Sequence, residues 1–248
     1  MVNIKKSFGR VKALDGVNLD IKRNEVLALL GDNGAGKTTL IKILSGVYPP
    51  DEGHIYFEGK LVKFKSPRQA RDMGIETVHQ NMSLVDIMSI SRNFFLGREP
   101  VKRMWPFSLL DRKKMNEECI KAIKENGLII RTPDDFVTVL SGGERQTVSI
   151  GRCMYFGAKL IILDEPMSAL SIREQRTVLK NIEKLKESGA TIIYISHTIH
   201  HVFQISDRFV FLDKGIKIGD FKSGLMSIED IEETIAKGRV SLILENGE

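Results

Sequence analysis

Gly31-Asp32-Asn33-Gly34-Ala35-Gly36-Lys37-Thr38 lies directly after the apolar run Val26 to Leu30 and directly before the helix-like run Thr39 to Leu44. A glycine-rich turn between a buried strand and a helix, closed by Lys and Thr, is an arrangement that cradles phosphate. The glycines let successive backbone N–H groups curl toward one anion, and the start of the helix adds its positive dipole end. In this setting Lys37 is predicted to reach the β and γ phosphates of a nucleotide and Thr38 to hold Mg²⁺. Gly31, Asn33, Gly34, Ala35, Gly36 and Thr39 are predicted to complete the cradle. From average composition the pattern arises by chance in roughly one chain in a hundred of this length. With both flanks in place, a plain glycine-rich turn is the weaker alternative.

Around this loop, apolar runs alternate with longer segments of helical spacing, which predicts an α/β fold with a mainly parallel sheet. Strands are predicted at Val17 to Ile21, Val26 to Leu30, Gly53 to Phe57, Ile75 to Val78, Leu160 to Leu163 and Thr191 to Ile195. A final pair, Phe209 to Asp213 and Ile216 to Asp220, is joined through Asp213-Lys214-Gly215 as a hairpin. Between about Asp86 and Leu140 the β-rich runs disappear, and Arg112 to Asn126 carries Met115, Cys119, Ala122 and Ile123 at helical spacing, ending at Gly127. This predicts a helical insert packed on the main sheet, since no Gly/Ser linker flanks it.

The 248 residues suffice for one generous core. The net charge of +5 is scattered along the chain, so charge by itself does not point to nucleic acid. No apolar run approaches the ~18 residues of a membrane span. The N-terminal residues lack the apolar core of a secretory signal, and Cys119 and Cys153 are too few for a disulfide framework. Together these features predict a cytoplasmic chain.

Leu160 to Leu163 delivers Asp164 and Glu165 to a strand end, where ligands bind in open α/β sheets. Asp164 fits the Mg²⁺-associated acid of a P-loop ATPase, and Glu165 fits a general base that polarises the attacking water. A helix cap or solvated turn is the alternative for an isolated acidic pair. Guanine specificity is not expected, because no Asn-Lys-x-Asp occurs. Leu140-Ser141-Gly142-Gly143-Glu144-Arg145-Gln146 then opens a predicted helix through Tyr155, a second terminus able to bind an anion. Because there is one P-loop, two copies facing head to tail would each offer this turn to the phosphate held by the other.

In this order, the P-loop, Leu140 to Gln146 and the Asp164-Glu165 strand end resemble the ATP-binding cassette of ABC transporters over essentially the whole chain. The resemblance implies a single domain over residues 1–248 with a P-loop core, an N-terminal antiparallel β subdomain and a helical subdomain at about 86–156. It implies that Phe8 stacks on adenine, though an ordinary core Phe is the alternative there. It also implies that Gln80 touches Mg²⁺ beside the groove for the membrane partner, that His197 contacts the γ phosphate, and that Ser141, Gly142 and Gly143 grip the nucleotide. The implied cycle uses ATP and Mg²⁺ to join and release two cassettes, either copies of this chain or related ones. Motion passes to transmembrane permease subunits on the cytoplasmic face of the cell membrane, with a solute-binding protein acting indirectly. Phe95 to Pro100 and Glu165 to Ser171 are most similar to bacterial ribose and simple-sugar importers.

Two further patterns are weighed. His197, His200 and His201 have ligand-like spacing but no recognisable further Zn²⁺ ligand. The basic, Trp-containing stretch Arg98 to Lys114 is read as a solvated face near the membrane partner instead of a nucleic-acid surface. A soluble relative working on nucleic acid or the ribosome would carry coiled-coil heptads or a second P-loop, and the chain has neither.

Overall fold

The computed structural model describes residues 1–79, 84–125, 130, 132–168, 170–196 and 198–239, so the predicted site residues Gln80 and His197 lie outside the described residues. In chain order the elements are β1 (Val2–Phe8), β2 (Val11–Val17), β3 (Val26–Leu30), α1 (Lys37–Leu44), β4 (Glu52–Phe57), β5 (Lys60–Val62), α2 (Pro67–Asp72), β6 (Ile75–Val78) and α3 (Ile90–Phe95). They continue with β7 (Val101–Met104), β8 (Phe107–Leu110), α4 (Arg112–Glu125), α5 (Gly142–Tyr155), β9 (Leu160–Asp164) and α6 (Ile172–Glu187). The last are β10 (Thr191–Ile195), α7 (Ile199–Ile205), β11 (Arg208–Asp213), β12 (Ile216–Lys222) and α8 (Ile228–Lys237). The chain divides into two compact units, one of Met1–Thr77, Lys159–Glu165 and the residues from Lys186 onward, the other of Val78–Ala158 and Pro166–Leu185.

The first unit is built on a six-stranded sheet in the order β12-β11-β3-β10-β9-β6. β3 runs parallel to β10 and β11, β10 runs parallel to β9, and β12 closes the edge antiparallel to β11. Every residue of β3 and β10 is buried, which is why these strands appear in the sequence as unbroken apolar runs instead of alternating ones. Leu27, Leu29, Ile162, Ile193 and Val210 share a core with Leu40, Ile41 and Leu44 of α1, and this packing fixes the helix behind the phosphate-loop candidate. The predicted closing hairpin is present, with Asp213 opposite Ile216 and positive φ at Lys214 and Gly215, the two-residue turn that matches strand twist.

A second, antiparallel sheet in the order β2-β1-β4-β5 matches the expected N-terminal β subdomain. The predicted strand Val17 to Ile21 is corrected: β2 ends at Val17, and the chain beyond it keeps alternate burial without a ladder. Val17 and Leu19 still reach the core, but beyond Val17 the backbone bonds are one reciprocal pair with the chain's start: the Leu19 N–H donates to the Met1 carbonyl at 3.0 Å, and the Met1 ammonium donates to the Leu19 carbonyl at 2.8 Å. Period-two burial was a true signal here, and strand pairing did not follow from it.

Arg208, at the start of β11, is 8% exposed, and its guanidinium donates to Asp220 at 2.6 Å, Asp20 at 3.1 Å and Glu25 at 3.3 Å. Its hydrogen bonds hold the Asp20 and Asp220 carboxyls below the usual carboxylate range. Their contribution to stability is therefore present above the ordinary Asp pKa and lost as pH falls below it. Arg208→Ala would strand Glu25 among buried groups, and we expect it to cost about 3–5 kcal/mol in urea unfolding. A loss under about 1 kcal/mol would mark the cluster as a solvent-screened surface network.

The second unit has its own core, in which α3, α4 and α5 meet through Ile90, Phe94, Phe95, Met115, Cys119, Ile123 and Val148. α4 buries the four residues that the helical spacing singled out. The expectation that β structure is absent between Asp86 and Leu140 is corrected by the hairpin of β7 and β8. Its apolar side chains stand in solvent, so no face-alternating pattern announced it.

Candidate functional site

β3 sits between β11 and β10, and its end at Leu30 delivers the chain into a turn with positive φ at Gly31, Gly34 and Gly36 before α1 begins. A Cβ on Gly36 would come 2.6 Å from the Ala13 carbonyl oxygen, so this side of the loop admits only glycine. A Cβ on Gly34 would meet nothing within 4 Å. The loop is thus pressed against its own unit on one side and open on the other, as a cradle for an external group requires. An open cavity of about 260 Å³ adjoins it, lined by Gly31, Asp32, Ser196, Ile199 and Glu232 among others.

Lys37 is buried at the first position of α1, and its Nζ donates to the carbonyls of Gly31 at 2.7 Å and Asp32 at 2.9 Å. Burial pulls its pKa down, while the carboxylates of Glu165, Asp32 and Asp164 oppose that shift and favour the ammonium. The side chain therefore arches back over the loop with its charge held by backbone oxygens. Asp32, Asn33, Gly34 and Thr38 are exposed, Gly36 and Thr39 half-buried, and Gly31 and Ala35 buried. The Ala35 N–H donates to the Asp32 carbonyl at 3.2 Å, so this member of the predicted cradle shapes the turn.

Asp164 closes β9 in register with Ile195 of β10. Glu165 follows with φ of 51°, a conformation a non-glycine residue adopts only when its surroundings impose it. Its N–H donates to the Ile195 carbonyl at 2.9 Å. Ser196, which the sequence reading assigned no role, places its Oγ 3.4 Å from Glu165 Oε2 and accepts the Thr198 N–H at 3.0 Å. With its lone pair engaged by Thr198, the Ser196 hydroxyl has its proton available for the carboxylate. The only sequence signal was its position at the end of a buried run, beside His197.

Phe8 ends β1 at 44% exposed, which removes the core-Phe alternative. Its ring meets Tyr48 edge-on at 5.4 Å and lies 5.7 Å from the Lys6 ammonium, leaving aromatic surface in solvent.

In the second unit, Ser141 caps α5 with a reciprocal box: Ser141 Oγ accepts the Glu144 N–H at 3.3 Å, and Glu144 Oε2 accepts the Ser141 N–H at 2.7 Å. The Ser-x-x-Glu spacing makes this cap legible in the sequence, where Ser141 is read only as part of the nucleotide grip. The Gly143 N–H donates to Glu174 Oε1 at 3.0 Å, and Glu174 also accepts the Ser171 N–H and hydroxyl. A Cβ on Gly143 would come 2.7 Å from the Glu174 side chain, so the approach needs glycine. The helix terminus predicted to bind an anion thus holds one of the chain's own. These donors, the Gly143 N–H first, hold the Glu174 carboxyl down to about 2.

A folded pKa depressed in this way contributes stability at neutral pH that is lost between about pH 4.5 and about pH 2. We expect the urea midpoint of the native chain to fall more steeply with acid than that of Glu174→Gln. Parallel acid profiles would show that Glu174 makes these bonds without gaining from them.

An open glycine loop ahead of a helix, a buried Lys above it and two carboxylates at the end of β9, one strand beyond β10 in the same parallel sheet, define a P-loop nucleotide-binding protein. The family model described as ABC transporter matches residues 14–168, and the chain belongs to that family as one of its ATPases. It is 46% identical to the xylose/arabinose import ATP-binding protein XylG of Sulfolobus acidocaldarius, over 97% of this chain and 95% of that one. It is 45% identical to the fructose import ATP-binding protein FrcA of Rhizobium meliloti, over 82% and 80%. With the ribose import ATP-binding protein RbsA of Caldanaerobacter subterraneus it shares 42% identity over 93% of this chain but only 46% of that protein, so it spans about half of such relatives. Among solved structures it resembles an ATP-binding cassette of an ABC transporter in its ADP conformation, at 28% identity and TM-score 0.78 over 96% of this chain and 94% of that one. A nucleotide-free cassette matches at 27% identity and TM-score 0.77, over 100% and 98%.

Proposed function

We propose that this chain is the ATP-hydrolysing subunit of a sugar importer, working as a head-to-tail pair of cassettes on a separate membrane permease. The observation that carries the chemistry is the buried Lys37 ammonium, held by the loop's own carbonyls and biased by the Asp164 and Glu165 carboxylates. The import cargo is inferred from the names of the relatives, two of which this chain matches over most of their length. No helix among the described residues is long and apolar enough to cross a membrane, in keeping with a permease supplied by other chains at the cytoplasmic face. We take residues 1–248 as one cassette with a helical subdomain at about 86–156.

ATP would place its β and γ phosphates in the Gly31 to Thr39 loop, and Lys37 would exchange the Gly31 and Asp32 carbonyls for phosphate oxygens. Phe8 would offer its exposed ring to the adenine. Thr38 and Asp164 would supply hard oxygen donors of the kind that suits Mg²⁺, with Gln80 added by the resemblance, and the ion would offset negative charge on the nucleotide's phosphates. Glu165 would accept the proton of the attacking water, with Ser196 fixing one of its oxygens and His197 beside the γ phosphate. The Ser141-Gly142-Gly143 turn would meet the nucleotide of the second copy, with the Gly143 N–H already given to Glu174.

Multi-angle light scattering on Glu165→Gln tests the pairing, because a chain that binds ATP without turning it over accumulates the closed pair. In MgATP we expect the mass of two chains, and in ADP the mass of one. A single-chain mass in MgATP, with ATP shown to be bound, would sink the homodimer.

A further inference from the structure

The basic, Trp-containing stretch found in the sequence folds into a feature that ATP chemistry leaves unused. β7 and β8 form a two-stranded sheet of their own, paired with no other strand among the described residues. Trp105 at its turn is 97% exposed, and Val101, Phe107, Leu109 and Leu110 are exposed too. Residues opposite one another in the ladder share a face. Val101 opposes Leu110, and Lys102 opposes Leu109, so apolar side chains stand on both faces of the ribbon. Such a ribbon does not bury its own apolar surface, and an isolated hairpin is marginal in water.

Charge narrows what covers it. Residues 101–114 carry Lys102, Arg103, Arg112, Lys113 and Lys114 against one carboxylate, Asp111. Lys102 pairs with Asp111, Arg112 with Asp134 and Lys113 with Glu117. Arg103 and Lys114 have no ion-pair partner among the described residues. Apolar side chains with a Trp at the tip, Arg103 two residues before it and Lys114 four residues after Leu110, match the boundary where lipid chains meet headgroup phosphates. A protein groove would cover one face of the ribbon, whereas a lipid interface admits the tip with both faces wetted by acyl chains.

We propose that the β7–β8 hairpin is a membrane-contact element, with Trp105 and Phe107 entering the interface of an anionic bilayer and Arg103 and Lys114 pairing with lipid phosphates. This goes beyond the transporter reading, since it needs neither the permease nor ATP.

Trp105 is the only tryptophan in the chain, so its fluorescence reports on this one site. The protein is mixed with vesicles of equal parts phosphatidylglycerol and phosphatidylcholine, and separately with phosphatidylcholine alone. We expect a blue-shifted, quencher-protected emission and co-sedimentation on the anionic vesicles, both weakened by salt. Arg103→Glu with Lys114→Glu is expected to weaken partitioning by at least about tenfold, at roughly 1 kcal/mol per cation near the surface. ATP turnover in the same preparations separates a failed hairpin from a failed motor. Emission unchanged by anionic vesicles would overturn the proposal, as would sedimentation with an unshifted Trp105, which would place the lipid contact elsewhere. A shift seen only on adding detergent-solubilised permease would overturn it in favour of a protein partner.

Discussion

Glu165→Gln is expected to lower steady-state phosphate release from ATP by at least about 10²-fold, the usual share of a positioned general base. The substitution keeps shape and removes the group that accepts a proton. Glu165 is held in place by its backbone, through the positive φ and the N–H donated to Ile195, and both survive the change. The Ser196 hydroxyl can still meet the amide oxygen in place of Oε2. ATP affinity should therefore stay within about threefold of the native chain, since the loss falls on the transition state and not on ground-state binding. Turnover within about threefold of native would assign the proton transfer to another group.

Lys37→Ala is expected to act on binding as well as turnover. The ammonium is buried at the loop and held by the Gly31 and Asp32 carbonyls, from which a γ phosphate would draw it. Removing it should cost about 10²–10³-fold in turnover. It should also abolish the thermal stabilisation by ATP, which for a native site saturated at about 100 times Kd amounts to roughly 2.7 kcal/mol. The two variants separate the roles: Glu165→Gln keeps the ATP-induced shift and loses turnover, whereas Lys37→Ala loses both. Without nucleotide, Lys37→Ala should fold normally, because deleting the buried ammonium relieves its desolvation while freeing two carbonyls. An ATP shift that survives in Lys37→Ala would move the phosphate site away from this loop.

What the sequence disclosed and what it concealed follow from burial. The strands around β3 were legible because both faces of the parallel sheet are covered, so Val26 to Leu30 and Thr191 to Ile195 have no polar positions to blur them. α4 was legible because one stripe packs on the second unit's core. β1 and β2 were missed because their sheet is largely exposed and charged residues fill it. β7 and β8 were missed for the opposite reason, apolar residues facing solvent where the pattern assigns none. The loop residues and Glu165 could be named because their chemistry is encoded in consecutive positions. Ser196 and Glu174 could not, because their roles come from approaches across 31 residues of chain in each case, to Glu165 and to Gly143.

Mg²⁺-dependent phosphate release from ATP by the purified native chain, followed across protein concentration, is the measurement to make first. A pair of cassettes sharing two nucleotides should give a rate per chain that rises with concentration and then levels, silenced in both Lys37→Ala and Glu165→Gln. A native chain inert at every concentration, and inert again when reconstituted with its permease, would contradict hydrolysis at this site; a rate undiminished in either variant would contradict the assignment of its residues.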